Sequence, residues 1–322
     1  MSTTQTLEFK QNKLLPLLFG EHNSHLNYLE QKLGIQISDR GNTVTLSGDD
    51  LSVKTAEDVL NSLLEKIEKK REIGTAEIDA ELRFLQNKQD NKDEQPTVSK
   101  GKTVIKTKKK SIAARSPNQE AYLRAILNSE MVFGLGPAGT GKTYLAVACA
   151  VSMYLDGQVE RLIFCRPAIE AGERLGFLPG DMKEKVDPYL RPIYDALHDM
   201  LPHDLMMKKI ETGDIEIAPL AFMRGRTLSN AFVILDEAQN TTTTQMKMIL
   251  TRLGESSRMV ITGDISQTDL PVGVKSGLRD ATEILHGVDD IKFIHFDKGD
   301  VTRHHLVSKI VNAYDQKGEN TR

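Results

Sequence analysis

The chain is poor in the residues that define several specialised classes of protein. Its 322 residues include two cysteines and no tryptophan, and the formal net charge is −3. Cys149 and Cys165 both lie in apolar stretches, so we expect buried free thiols and not a disulfide or a metal pair. The small net charge gives no global field that would draw the chain to nucleic acid. Any such attraction must come from local patches.

Long apolar runs are also missing. No stretch is long enough to span a bilayer, and the first residues are polar where a signal peptide would be apolar. With 39% apolar and 27% charged residues, the composition is typical of a soluble globular protein. We therefore expect a cytoplasmic location and no membrane partner. The length favours one large domain plus a smaller one.

The most informative stretch that is present fits the phosphate-binding pattern G-x-x-x-x-G-K-[ST]. An apolar run at 131–135 precedes it as a predicted strand, and residues 144–154 follow as a predicted helix. Lys142 is expected to reach the β- and γ-phosphates, and Thr143 to hold Mg²⁺. The alternative, a glycine-rich turn without a ligand, does not explain this strand–loop–helix context. The loop comprises Gly136, Pro137, Ala138, Gly139, Thr140, Gly141, Lys142 and Thr143.

A second motif is an apolar run at 231–235 that ends in Asp236 and Glu237. This pattern is typical of a Walker B strand in a parallel sheet, whose carboxyl end lies beside the phosphate-binding loop. We expect Asp236 to hold Mg²⁺, mostly through water, and Glu237 to activate the attacking water as general base.

A further predicted strand at 258–262 is followed by Asp264 and Gln267. Gln267 is expected to sense the γ-phosphate, with Asp264 supporting the metal shell. The alternative is an ordinary turn with a capping aspartate. The two motifs and this third strand together predict Mg²⁺ and a nucleoside triphosphate as the cofactors. They do not distinguish adenine from guanine, and the lack of an Asn-Lys-x-Asp-like base-reading motif of GTPases favours ATP.

Two site assignments depend on position alone. Gln119 lies upstream of the loop, where helicase-like ATPases use a glutamine to bind the adenine edge; a surface glutamine is the alternative. An arginine from a neighbouring chain is expected to stabilise the transition-state charge. Arg303 is the first candidate for this role, and Arg224 and Arg226 are the others. A structural ion pair is the alternative for each arginine. The catalytic candidates are therefore Lys142, Glu237, Gln267 and Arg303.

Composition divides the chain into three parts. Residues 1–86 show a β-α-β-β-α pattern that resembles a small α+β KH-like module. Its GXXG loop would be Gly20–Asn23, which lacks the second glycine and carries a glutamate. Residues 87–115 form a basic, flexible linker, either solvated or touching nucleic-acid phosphates. Residues 116–322 alternate strands and helices, which predicts an α/β fold with a mainly parallel sheet and helices on both faces.

Five blocks in residues 112–315 carry a family resemblance. They are GPAGTGKT (136–143), RPAIEAGERLGFLPGD (166–181), VILDEAQN (233–240), TGDISQTDLP (262–271) and TRHHLV (302–307). Together they resemble the PhoH-like protein family. The resemblance implies a P-loop NTPase with one RecA-like domain, similar to the first motor domain of superfamily 1 helicases. It also implies ATP hydrolysis, ring assembly, a role in RNA metabolism and an rRNA-processing endoribonuclease as partner.

The residues after Gln267 are too few for a second RecA-like domain, so we expect a neighbouring subunit to complete the site in a homo-oligomeric ring. The leading hypothesis is an ATPase that remodels RNA. The alternative is a nucleotide-dependent switch or scaffold that recruits an endoribonuclease without unwinding RNA. A small-molecule kinase is a third, weaker hypothesis, because a Glu beside the Walker B Asp suits water activation.

Overall fold

The computed structural model describes residues 2–69, 73–90, 103–167, 182–302 and 310. The chain divides into two compact units. The first comprises Met1–Ser99 with Arg115–Pro117, and the second comprises Lys100–Ala114 with Asn118–Arg322. Across the described ranges, no helix is both long and apolar enough to cross a membrane.

The first unit is a three-stranded antiparallel sheet covered by helices. Its elements are β1 (Ser2–Glu8), α1 (Leu15–Phe19), α2 (Ser24–Leu33), β2 (Gln36–Arg40), β3 (Thr43–Asp49), α3 (Asp50–Glu68) and α4 (Thr75–Asp90). The strand order is β1-β3-β2. Val44 and Leu46 of β3 are fully buried, whereas their neighbours along the strand are partly exposed. This period of two places one face of the sheet on the core.

The apolar stripe of α3 covers that face, and the Asp49 side chain caps the helix by accepting a hydrogen bond from the Ser52 N–H (3.0 Å). The predicted order of strands and helices is found, with the short helix α1 in addition. Segment Gly20–Asn23 joins α1 to α2, and Gly20, His22 and Asn23 all have positive φ.

The second unit is built on a larger sheet. Its elements, with α5 at the junction of the two units, are β4 (Val104–Lys106), β5 (Ser111–Ala113), α5 (Pro117–Asn128), β6 (Met131–Leu135), α6 (Lys142–Leu155), β7 (Arg161–Arg166), α7 (Met182–Met200), α8 (His203–Glu211), β8 (Ile215–Pro219), β9 (Ala231–Leu235), α9 (Thr243–Leu250), β10 (Arg258–Gly263), α10 (Gly277–Leu285) and β11 (Ile291–His295).

The sheet has six strands in the order β11-β6-β10-β9-β7-β8, and every neighbouring pair is parallel. All residues of β6 and β9 are buried. Continuous burial follows from helices on both faces, with α6 on one side and α9 and α10 on the other. The strand that carries the second motif, β9, is separated from the phosphate-loop strand β6 by β10. The predicted α/β, RecA-like P-loop fold is confirmed.

The structure differs from the predicted linker at 104–113. These residues form the antiparallel hairpin β4–β5, in which Ile105 and Ile112 are direct partners and are both buried. The hairpin turn is held by α7, since the Lys110 ammonium lies 2.6 Å from the Asp199 carboxylate. The composition of the segment hides this packing. Lysines dominate the turn, while one isoleucine in each short strand points to the buried face and Lys106 and Ser111 beside them are exposed. Residues 91–102 lie outside the described ranges.

Candidate active site

The phosphate-binding loop joins β6 to α6 and depends on its glycines. Gly136, Gly139 and Gly141 have φ values of 143°, 85° and 82°, a region that residues with a Cβ rarely adopt. A Cβ on Gly136 would also collide with the Phe296 carbonyl. The loop can therefore bring its backbone N–H groups close to an anion.

Lys142 is the first residue of α6, and its side chain folds back over the loop. Its ammonium donates to the carbonyls of Gly136 (2.7 Å) and Pro137 (2.8 Å). The amino terminus of α6 points at the same space, where the helix dipole favours negative charge. The loop, the helix terminus and the ammonium together form a cradle for phosphate groups.

Asp236 follows β9 and is almost completely buried, with 3% of its surface exposed. Its Oδ1 accepts hydrogen bonds from the hydroxyls of Thr143 (2.7 Å) and Thr262 (2.7 Å). A hydroxyl and a carboxylate in contact beside a phosphate cradle are the hard oxygen donors that Mg²⁺ prefers, so these residues fit that ion. Across the described residues, no cluster of three or more His, Cys, Asp or Glu offers a separate metal site.

Glu237 has a different environment from its neighbour. Its backbone is left-handed (φ 54°, ψ 40°), and 44% of its side chain is exposed. The Arg166 guanidinium lies 2.9 Å from its Oε1, and the Gln239 amide donates to its Oε2 (2.5 Å). Arg166 also lies 3.1 Å from Asp236 Oδ2, so one guanidinium bridges both carboxylates.

These groups open onto one cavity of about 610 Å³, a size typical of small-molecule sites. Cations and carboxylates both line it. Asp199 of α7 stays ionised, since the hydrogen bond from Lys110 lowers the pKa of this carboxyl group. The charged and polar lining side chains are Lys142, Thr143, Tyr144, Arg166, Asp195, Asp199, Asp236, Glu237, Gln239, Asp264 and Gln267.

The third strand also reaches this cavity. Asp264 is buried, and its Oδ1 accepts from the N–H (2.9 Å) and hydroxyl (2.6 Å) of Ser266. Its Oδ2 is buried without a hydrogen-bond partner, consistent with a group that supports a metal shell. Gln267 is exposed at the cavity wall. The structure thus brings the predicted residues from three strand ends together.

Gln119, which was expected to bind an adenine, contacts the phosphate-binding loop. Its side chain is buried, with 3% exposed, and its amide donates to the Thr140 carbonyl in the loop (3.0 Å). It does not line the cavity described above. Gln119 therefore supports the loop in this structure, and its contact with an adenine stays a prediction.

The arginines expected to act from a neighbouring chain have separate outcomes. Arg303 lies outside the described residues. Arg226 makes a two-pronged ion pair with Glu216 (2.6 and 2.7 Å), which is the structural alternative. Arg224 has no resolved role in the site.

Sequence reasoning gave no role to Arg166, Gln239 or Thr262. The signal for Arg166 was available: it ends β7, and β7 pairs with β9 in parallel, with Cys165 opposite Leu235. The carboxyl ends of neighbouring parallel strands meet at one edge of a sheet, so a charged residue there was a candidate.

Comparison with known proteins identifies the relatives of this chain. The family model described as "PhoH-like protein" matches residues 111–315. A PhoH-like protein of Bacillus subtilis is 52% identical over 300 residues, which cover 93% of each chain. Protein PhoH of Escherichia coli is 47% identical over 205 residues, covering 63% of this chain and 58% of that protein.

Among solved structures, the Pif1 helicase from Candida albicans matches 57% of this chain and 39% of its own, with 17% identity and a TM-score of 0.31. A match at that level adds nothing to the strand order and motifs described above. The family match and the relatives together show that this chain belongs to the PhoH-like protein family.

Proposed function

We propose that this chain is an Mg²⁺-dependent ATPase that acts in RNA metabolism. The observation that carries the proposal is the convergence of Lys142, Asp236 and Glu237 on one cavity. A phosphate cradle alone would suit nucleotide binding. A half-exposed carboxylate beside a buried one adds a group that can accept a proton from water.

Each residue has a separate task in hydrolysis. Lys142 and the loop N–H groups hold the phosphates, while Thr143 and Asp236 would hold Mg²⁺, which neutralises phosphate charge when bound. Glu237 orients a water and accepts its proton as the water oxygen bonds to the γ-phosphorus. The bond from that phosphorus to the β–γ bridging oxygen breaks, giving ADP and phosphate. Gln267 is placed at the cavity wall to contact the γ-phosphate.

The first test is steady-state ATP hydrolysis by Glu237→Gln. Loss of the base should lower kcat by about 100-fold or more while nucleotide still binds. Glu255→Gln, an exposed acid outside the cavity, is the matched control and should keep full activity. Full activity in Glu237→Gln would refute this assignment of the base. Phosphate appearing on a small-molecule acceptor, in place of free phosphate, would favour the kinase.

The role in RNA metabolism has weaker support. Lys106, Lys108, Lys109 and Lys110 are all exposed on or next to the β4–β5 turn, a local basic patch in a chain of small net charge. Single-stranded RNA should raise ATP turnover several-fold, and Lys106→Gln with Lys108→Gln should reduce that stimulation. Turnover indifferent to RNA would favour the alternative, a switch or scaffold for an endoribonuclease.

One observation in the first unit favours that alternative. Segment Gly20–Asn23, in the position of a nucleic-acid clamp, contains one acid and contacts another. Glu21 is exposed within it, and the Asn23 amide donates to Asp39 Oδ1 (2.7 Å). Carboxylates in this position repel phosphates. Capture of an endoribonuclease by this unit, with no change of RNA secondary structure, would support the scaffold.

We also propose that the chain forms a homo-oligomeric ring in which Arg303 of one copy acts at the cavity of the next. Mixing two inactive variants tests this arrangement. Lys142→Ala and Arg303→Ala should each be inactive, and their mixture should regain part of the activity, because some interfaces combine two intact halves. A fully active monomer in solution would contradict the ring.

A further inference from the structure

We propose that Gln239 and Arg166 are positioning residues that hold the Glu237 carboxylate between them, with one donor on each oxygen. The inference rests on the proposed function, in which Glu237 is the base. Gln239 Nε2 lies 2.5 Å from Oε2, and Arg166 Nη2 lies 2.9 Å from Oε1. Each carboxylate oxygen has a second lone pair, so both donors can stay in place while water is activated.

The orientation of the Gln239 amide is fixed by its other partner. Its Oε1 accepts from the Asp264 backbone N–H (3.1 Å), a group that can only donate. The NH₂ group must therefore face Glu237. Gly263 makes room for this arrangement, because a Cβ there would lie 2.7 Å from the same Oε1.

The main chain of Gln239 is anchored as well. Its carbonyl accepts a hydrogen bond from the Ser276 hydroxyl (2.8 Å), and only 4% of the residue is exposed. Gln239 is thus fixed at both ends, so its donor has one position. A rigid neutral donor sets the direction of the Glu237 carboxylate without compensating its charge.

Arg166 makes the complementary contribution. It is the last residue of β7, and 15% of its side chain is exposed. Its Nη2 bridges Glu237 and Asp236, so the guanidinium places one positive charge between two adjacent negative ones. Without it, the two carboxylates would repel each other, and the buried one would be left with an uncompensated charge.

Glu237 needs such support because of its own backbone and exposure. A left-handed conformation is unfavourable for a non-glycine residue and persists only where the surroundings hold it. The half-exposed side chain would otherwise sample several rotamers. A base must lie within hydrogen-bond reach of the proton it accepts, so fixing one rotamer raises the fraction of productive encounters.

The test compares two amide-to-acid substitutions in neighbouring residues. Gln239→Glu keeps the acceptor for the Asp264 N–H and removes the donor to Glu237. Asn240→Asp is the matched control: Asn240 is also buried, and its Oδ1 accepts from the Asp269 N–H (2.9 Å). Its backbone N–H donates to the Glu237 carbonyl (3.1 Å), a bond that the substitution keeps, and among the described contacts its side chain does not touch the Glu237 carboxylate. We expect kcat to fall about tenfold or more in Gln239→Glu, with ADP affinity unchanged, and to stay within about twofold in Asn240→Asp.

A double variant separates positioning from a structural role. If Gln239 acts through Glu237, adding Gln239→Glu to Glu237→Gln should cause no further loss of kcat. Equal losses in Gln239→Glu and Asn240→Asp, or full activity in Gln239→Glu, would overturn the inference. An inactive Glu237→Gln beside a fully active Gln239→Glu would refute this inference alone. A fully active Glu237→Gln would instead refute the proposed base.

Two measurements on Arg166→Ala test its role: rescue of kcat by added guanidinium, and the affinities for two nucleotides. Added guanidinium should restore part of the lost kcat, because it can occupy the space between the two carboxylates. The affinities for ADP and for a non-hydrolysable ATP analogue should change by the same factor. A loss confined to the ATP analogue would show that Arg166 binds the γ-phosphate itself, which would overturn its role as a positioning residue.

Discussion

At the scale of single residues, Asp236 and Glu237 show how two adjacent carboxylates acquire different tasks. Asp236 is enclosed by Thr143, Thr262 and Arg166, which fixes the position of its carboxylate. Glu237 turns out of the strand direction through its left-handed backbone and reaches the cavity. The sequence pattern predicted both roles. It did not predict that Arg166, at the end of β7, and Gln239, two residues further along the chain, would hold Glu237, because their placement depends on the fold.

The buried thiols give a prediction at this scale. Burial raises the pKa of Cys149 to about 12, so the folded chain keeps this thiol protonated where an unfolded chain ionises it. The stabilisation is complete below pH 9 and is lost as pH rises towards 12. Between those limits, Cys149 should lower the free energy of unfolding by about 1.4 kcal/mol per pH unit.

Urea unfolding at pH 8, 9 and 10 checks this expectation. The unchanged chain should lose stability more steeply with pH than Cys149→Ala, whose side chain does not ionise. Cys165 is buried in the same way and remains in both chains, so its contribution cancels in the comparison. Identical slopes would contradict the prediction.

At the scale of elements, the sequence predicted β6, α6, β9 and β10, because their apolar runs lie beside recognisable motifs. It did not predict β8 or β11 at the two edges of the sheet. Only the two end residues of β8 are buried, and none of β11 is, so their apolar signal is weak. Local sequence patterns could not predict the strand order either, because β6 pairs with β10 and β11, which lie more than 120 residues further along the chain.

The β4–β5 hairpin gives a prediction at this scale. If it is part of the second unit, Ile105→Ala should destabilise that unit by about 2–5 kcal/mol, because a buried isoleucine leaves a cavity. Lys106→Ala, an exposed neighbour in the same strand, should change stability by less than about 0.5 kcal/mol. Urea unfolding of both variants measures the difference. Equal stability in the two would mean that the isoleucine is solvated, as in a flexible linker.

At the scale of the whole molecule, every residue that lines the cavity belongs to the second unit. The first unit has its own sheet and its own apolar core. This division separates the proposed nucleotide site from the first unit. We therefore expect changes in the first unit to leave nucleotide binding unaltered.

Removal of residues 1–99 tests the division. The shortened chain should bind ADP within about threefold of the full chain, since no lining residue is lost. The same deletion with Lys142→Ala is the control for specific binding. A shortened chain that keeps its secondary structure by circular dichroism but no longer binds nucleotide would contradict this expectation.

The position of β6 in the sheet has a consequence for synthesis on the ribosome. This strand carries the phosphate-binding loop, yet its two neighbours end at Gly263 and His295, the latter about 160 residues after Leu135. At roughly 5–20 residues per second, the ribosome needs about 8–32 seconds to synthesise the residues between the loop strand and the end of β11. The first unit is complete long before. We therefore expect nucleotide to bind only after residue 295 has been synthesised, and ribosome pausing after residue 135 would lengthen the time for which an apolar strand stays unpaired.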